Sequence, residues 1–192
     1  MKQDIKQYFG VLKSLFDEVI VTAEGGVVCQ FNEAIKMAVE LILDQAGLGG
    51  KVLFVGNGAS AAISSHMATD FWKNAGVKAL SFNDSSLLTC ISNDFGYKHV
   101  FEKPVEMFAE SEDVLVAISS SGESENILNA VSAAKKIGLK IVTLSGFKDN
   151  NPLRKMGDIN FYMPSVSYGH VEITHLSVCH CMSDIIKVGK NG

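Results

Sequence analysis

The chain has little of what extended, stapled or membrane-bound proteins use. Only 3 of its 192 residues are proline, beside 17 glycines, which argues against a linker-rich or disordered chain. Its 4 cysteines, at positions 29, 90, 179 and 181, form no C-x-x-C pair. Neither a zinc ribbon nor a disulfide framework is expected, and the thiols read as reduced and packed in a core. No apolar run reaches the roughly 18 residues of a spanning helix. The opening Met1-Lys2-Gln3-Asp4-Ile5 has no basic stretch followed by an apolar one, so no leader is visible. A cytoplasmic protein with no membrane partner is expected. A basic excess is also missing: the formal net charge is −4, which argues against a nucleic-acid partner. The remainder, 47% hydrophobic and 20% charged residues, is ordinary globular composition with enough chain for one domain and its own core.

Two patterns divide that domain. Residues 1–48 read as a helical pair. Ile5, Tyr8, Phe9, Val11, Leu12, Leu15, Phe16, Val19 and Ile20 recur at helical spacing, and a break at Glu24-Gly25-Gly26 comes next. A second helix from about Cys29 to Leu43 carries Phe31, Ile35, Ala38, Val39 and Ile42 on one face. The two read as antiparallel partners whose wide apolar faces suit oligomerisation. From residue 49 to 192, short apolar runs alternate with helical stretches. The runs are Lys51–Val55, Lys78–Phe82, Asp113–Ser119, Lys140–Leu144 and Ile159–Met163. Near-continuous apolar runs suit parallel strands covered on both faces. Helices are expected near 60–73, 97–109, 123–137 and 170–188, which predicts an open, doubly wound α/β sheet. Ligands of such sheets sit beyond the carboxyl ends of the strands.

The turns that leave the strands are therefore where binding chemistry is expected. Gly56-Asn57-Gly58-Ala59-Ser60 leaves the first, a glycine-rich turn into a helix. It lacks the third glycine of a dinucleotide fingerprint and the Gly-Lys-Ser/Thr of a Walker loop. Ser119-Ser120-Ser121-Gly122-Glu123-Ser124 leaves the third strand. One helix cap needs one serine; four hydroxyls with free backbone N–H groups make a phosphate cradle. Glu123 fits there only if its carboxylate points away. Asn83-Asp84-Ser85-Ser86 and Asn93-Asp94-Phe95-Gly96 offer polar ends for sugar hydroxyls, or ordinary turns.

Taken in order and spacing, these stretches, with Ile141-Val142-Thr143-Leu144-Ser145-Gly146, resemble the sugar isomerase (SIS) domain. More closely they resemble the phosphoheptose isomerase family, over nearly the whole chain. The resemblance implies a three-layer α/β sandwich with a five-stranded parallel sheet. It implies a homotetramer built partly on the N-terminal helices, with active sites at subunit interfaces. The implied reaction converts sedoheptulose 7-phosphate to D-glycero-D-manno-heptose 7-phosphate, a step that begins lipopolysaccharide and capsule heptose supply. It places the phosphosugar on Asn57, Ser60, Asp94, Ser119, Ser120, Ser121 and Ser124. It also implies one zinc per subunit, on His66, Asp70, Glu172 and His180, where Asp70 stands for the family's Glu and Glu172 for its Gln. Asn74 and Gly169 replace an Arg and an Asp of the family.

The same residues carry chemistry on their own terms. His66 and Asp70, four apart, share a helix face. Glu172, His175 and His180 lie on one largely apolar helix, where polar groups need partners. Glu172 and His180 are eight apart, roughly 12 Å along a straight helix. Either the helix frays at Glu172 or different subunits supply the two. Cys179 and Cys181 read as core. An aldose–ketose isomerisation through a cis-enediol needs a base, Asp70 or Glu172, and an acid, His180. The rival functions are a sugar-phosphate sensor, a SIS adaptor that associates with the replication initiator DnaA, and an isomerase of another phosphosugar. A scaffold has no use for His66, Asp70 and His180.

Overall fold

The computed structural model describes residues 5–191; residues 1–4, most of the stretch read for a leader, and Gly192 lie outside it. The chain runs α1 (Ile5–Glu18), β1 (Ile20–Ala23), β2 (Val28–Cys29), α2 (Phe31–Gly47), β3 (Val52–Gly56), α3 (Ala59–Lys73) and β4 (Ala79–Ser81). It continues through α4 (Ser85–Phe95), α5 (Glu102–Phe108), β5 (Val114–Ser119), α6 (Glu125–Ile137), β6 (Lys140–Ser145), β7 (Ile159–Tyr162) and α7 (Tyr168–Asn191). The sheet order is β2-β1-β7-β6-β5-β3-β4. From β7 to β4 every pairing is parallel, the five-strand core read from the apolar runs.

Alternate residues of these strands enter two separate cores, and that makes three layers. Val52, Phe54, Val116, Ile118, Val142, Leu144 and Phe161 face α2, α3 and α7. Leu53, Val55, Leu115, Ala117 and Ile141 face α5 and α6, with Leu87, Leu88 and Ile91 of α4 packed at the margin. A strand buried on both faces has no polar side, so these runs are apolar throughout. The starts of β3 and β5 are tied by buried Asp113, which accepts from the Lys51 amide at 2.8 Å, the Glu110 amide at 2.9 Å and Lys51 Nζ at 2.7 Å. Removing one partner of such a buried, satisfied ion pair costs about 3–5 kcal/mol.

Three expectations are corrected. Val19 and Ile20 do not extend the first helix: β-branched Ile20-Val21-Thr22 forms β1, antiparallel to β7, and β2 folds back on it to make seven strands. Backbone pairing with the β7 edge and full burial of Val21 outweigh the helical apolar spacing. The N-terminal helices are not chiefly partners of each other, because this hairpin separates them and both pack on α7. The stretch from Asn83-Asp84 to Asn93-Asp94, read as polar ends for sugar hydroxyls or as ordinary turns, is built on one helix, α4. Asp84 caps it by accepting from the Leu87 amide at 3.0 Å. Cys179 is core as expected, whereas Cys90 and Cys181 are exposed and Cys29 half-buried.

Candidate active site

Strands β3 and β5 are neighbours, but the chain leaves them towards opposite edges of the sheet, so the crevice beyond their carboxyl ends is the switch point. The glycine-rich turn and the serine loop meet there. Together they line a pocket of about 220 Å³ with Asn57, Gly58, Ser60, Ser119, Ser120, Ser121 and Ser124, joined by Tyr168 and Glu172 from α7. Two helix N-termini, of α3 and α6, open on it and present free amide donors and partial positive charge.

Glycine chemistry shapes both loops. A Cβ on Gly56 would stand 2.5 Å from the Ser60 carbonyl oxygen, so only glycine lets α3 start this close to β3. Gly122 has φ 64°, and a Cβ there would lie 2.0 Å from Asn151 Oδ1. Asn151 is itself buried, donating to the Lys148 carbonyl at 2.8 Å and accepting from the Arg154 amide at 3.0 Å.

The hydroxyls are poised rather than spent. Ser124, the α6 cap residue, makes no side-chain cap bond. It accepts from Ser119 Oγ at 3.3 Å. Ser120 is 6% exposed, and among the described residues its hydroxyl has no partner. A buried hydroxyl without a partner is costly unless a ligand or water satisfies it. Ser121 Oγ accepts from the Glu123 amide at 3.2 Å. The Glu123 carboxylate does point away, accepting from Lys148 Nζ at 2.9 Å. Asn57 is clamped: it exchanges amide bonds of 2.9 and 2.8 Å with Asn126, and Tyr97 Oη donates to it at 2.9 Å. Asn126, Tyr97 and Tyr168 were not picked from the sequence. Gly96-Tyr97 directly follows Asn93-Asp94-Phe95, a usable hint; Tyr168 carried none. Asp94 does not line the pocket: it lies in the last turn of α4, accepting from Asn93 Nδ2 at 2.9 Å and Cys90 Sγ at 3.6 Å.

A second constellation sits on the outer part of α3 and α7. The ligand-type atoms of His66, Asp70 and His180 all lie within 4.8 Å of one another. Asp70 Oδ2 is 3.6 Å from His66 Nε2 and 3.5 Å from His180 Nδ1. Its other oxygen accepts from Asn74 Nδ2 at 3.1 Å. Two imidazole nitrogens and a carboxylate suit zinc. Glu172, expected as a fourth ligand, is not in this group; it faces the serine pocket, where burial raises its carboxyl above the ordinary value. The helix runs unbroken from Tyr168, so it does not fray at Glu172. His175 is fully buried, its Nε2 3.2 Å from the Ser145 carbonyl, and burial lowers its pKa to about 4. It serves α7 docking rather than the pocket.

This architecture has relatives among known proteins. The family model for the SIS domain matches residues 8–146. The phosphoheptose isomerase of Proteus mirabilis is 38% identical over 161 residues, 81% of this chain and 83% of that protein. The phosphoheptose isomerase of Yersinia pestis is 35% identical over 187 residues, 94% of this chain and 96% of that one. The solved phosphoheptose isomerase of Neisseria gonorrhoeae superposes with a TM-score of 0.83 at 32% identity, covering 95% of this chain and 97% of that one.

Proposed function

The chain belongs to the SIS-domain family and, within it, to the phosphoheptose isomerases, and from there we propose how its pocket interconverts sedoheptulose 7-phosphate and D-glycero-D-manno-heptose 7-phosphate. It is a phosphosugar isomerase. The observation that carries the site assignment is the unpartnered buried hydroxyl of Ser120, a residue that lines the same pocket as Glu172.

In this reading the phosphate sits on Ser119, Ser120, Ser121, Ser124 and the two helix starts, while Asn57 and Ser60 hold sugar hydroxyls. Glu172 or Asp70 moves the proton between C1 and C2. Burial raises the Glu172 carboxyl above its ordinary value, the direction that strengthens a base. His180, oriented by Asp70, moves the proton on oxygen when no metal holds it. Zinc would be held by His66, Asp70 and His180, one per subunit, and when bound would polarise the sugar's oxygens. Within one chain, Glu172 and the His–Asp group stand apart along α7. That separation supports a site completed across subunit boundaries in a homotetramer. Residues 1–48 would serve assembly, and exposed Ile5, Phe9 and Val11 on α1 suit that role. Among the described residues no helix is long and apolar enough to cross a membrane, and the free thiols support a reducing cytoplasmic setting. The product would feed heptose-containing surface polymers.

The test is turnover of sedoheptulose 7-phosphate by the purified chain, with zinc and with chelator. Product formation that disappears in His180→Ala is the expected result. Binding without turnover would instead favour a sugar-phosphate sensor or adaptor.

A further inference from the structure

One wall of the pocket is used by neither phosphate binding nor proton transfer. Tyr168 opens α7 and lines the pocket beside the serine loop, with the residue 62% exposed. Its ring stands edge-on to Phe147, with centroids 4.7 Å apart and planes at 78°. Phe147 has φ 59°, the only positive φ at a non-glycine residue among those described. For a bulky side chain this is an unfavourable backbone, and it persists only where the surroundings over-determine it. They do so here. The Phe147 amide donates to the Ser165 carbonyl at 2.9 Å, and Tyr162 Oη donates to the Phe147 carbonyl at 2.9 Å. The neighbouring Gly146 amide donates to the Ser120 carbonyl at 3.0 Å, so the strained turn is bonded to the phosphate loop itself.

A tyrosine fixed at the mouth of a polar pocket meets a particular part of the ligand. Its ring face carries negative quadrupole density, which repels phosphate oxygens and attracts the electropositive C–H groups of a sugar chain. Tyrosine gives that contact area at the cost of ordering only two side-chain angles. Glu172 lies one helical turn beyond Tyr168, so ring and carboxylate share a face. We propose that Tyr168, buttressed by Phe147, is a specificity-determining wall that packs against the carbon chain of the bound sugar and aligns it with Glu172. This rests on the serine pocket being the phosphate's seat.

The experiment measures binding of sedoheptulose 7-phosphate and of inorganic phosphate to the full chain by calorimetry, with turnover alongside. Tyr168→Ala should weaken the sugar phosphate and raise its KM roughly 3- to 10-fold, leaving inorganic phosphate unaffected. Tyr168→Phe should restore the loss, because the ring and not the hydroxyl makes the contact. Phe147→Gly relieves the backbone, removes the buttress and should reproduce part of the same selective loss. Equal weakening of both ligands in Tyr168→Ala would overturn the proposal, since the residue would then only prop the phosphate loop. An unchanged KM for the sugar phosphate would overturn it too. Ser120→Ala separates the two readings: if neither ligand responds to it, the pocket assignment itself fails and the wall with it.

Discussion

The serine pocket and the His66–Asp70–His180 group are built on opposite principles. The pocket is a backbone device: two helix starts, two tight loops and glycines that no other residue can replace hold its donors from parallel strands at the centre of the sheet. The histidine group is a side-chain device on the outer parts of two helices, with His66 54% exposed at its side chain and Asp70 bridging at 3.5 and 3.6 Å. A backbone cradle is pre-organised whether or not ligand is present. A half-exposed trio is set by rotamers and by what binds it. Affinity for phosphate should therefore be robust and local. The oxygen chemistry should depend on metal, on Asp70's neighbours and on how α7 is seated.

Glu172 lines the serine pocket, apart from the histidine group, and is read here as the base, so its loss should have the largest effect. Glu172→Gln keeps shape and removes the base; turnover should fall roughly 10²- to 10⁴-fold with sugar-phosphate binding retained. Unchanged turnover would pass the base role to Asp70 and move the reacting carbons to the histidine group.

The seating of α7 can be loosened without touching either device. Buried His175 binds the Ser145 carbonyl on β6, next to the turn that Ser120 accepts from. Its folded pKa lies near 4, below the ordinary 6.5. Such a group contributes stability above its unfolded pKa and loses it as pH falls through the folded one. Between about pH 6.5 and 4, denaturant midpoints should reveal a loss approaching 3 kcal/mol. In His175→Gln that part of the acid sensitivity should vanish; an unaltered pH profile would assign it to other groups.

Ser120→Ala tests the backbone principle. Loss of one hydroxyl donor to a charged phosphate should cost about 1.5–3 kcal/mol in sugar-phosphate affinity with kcat little altered. A fall in kcat at constant KM would mean that the loop positions reacting atoms rather than holding the anion.

The same contrast explains what could be read from the sequence. Parallel strands buried on both faces are written as apolar runs, and loops that hold phosphate are written as glycines and serines, so β3 to β7 and the cradle were legible. His66 and Asp70 were legible as a helix pair, because four-residue spacing puts them on one face. Helix α4 had its signal, Asp84 before Leu87, Leu88 and Ile91, but its polar ends resemble turns. The β1–β2 hairpin was hidden because four residues show too little alternation to outweigh a helical apolar pattern, and its partner edge lies far along the chain. Which device Glu172 serves, and Tyr168's place on the pocket, depend on how α7 rotates against the sheet. Core packing of residues such as Val171, Val178 and Met182 sets that rotation, and no local motif records it.

The smallest expected effect is the sharpest test of the side-chain principle. Asn74 is exposed, and its Nδ2 donates to Asp70 Oδ1 at 3.1 Å, steadying the carboxylate between two imidazoles. Asn74→Ala removes that support but leaves all three ligand-type groups. Because the bond faces solvent, water can replace it. Zinc affinity, measured by competition with a chromophoric chelator, should weaken by only about 2- to 5-fold, below the 10- to 100-fold typical of buried supporting bonds. A tenfold or greater loss would mean that Asp70 is as rigidly pre-organised as the serine loop. The two halves of the site would then no longer differ in how they are held.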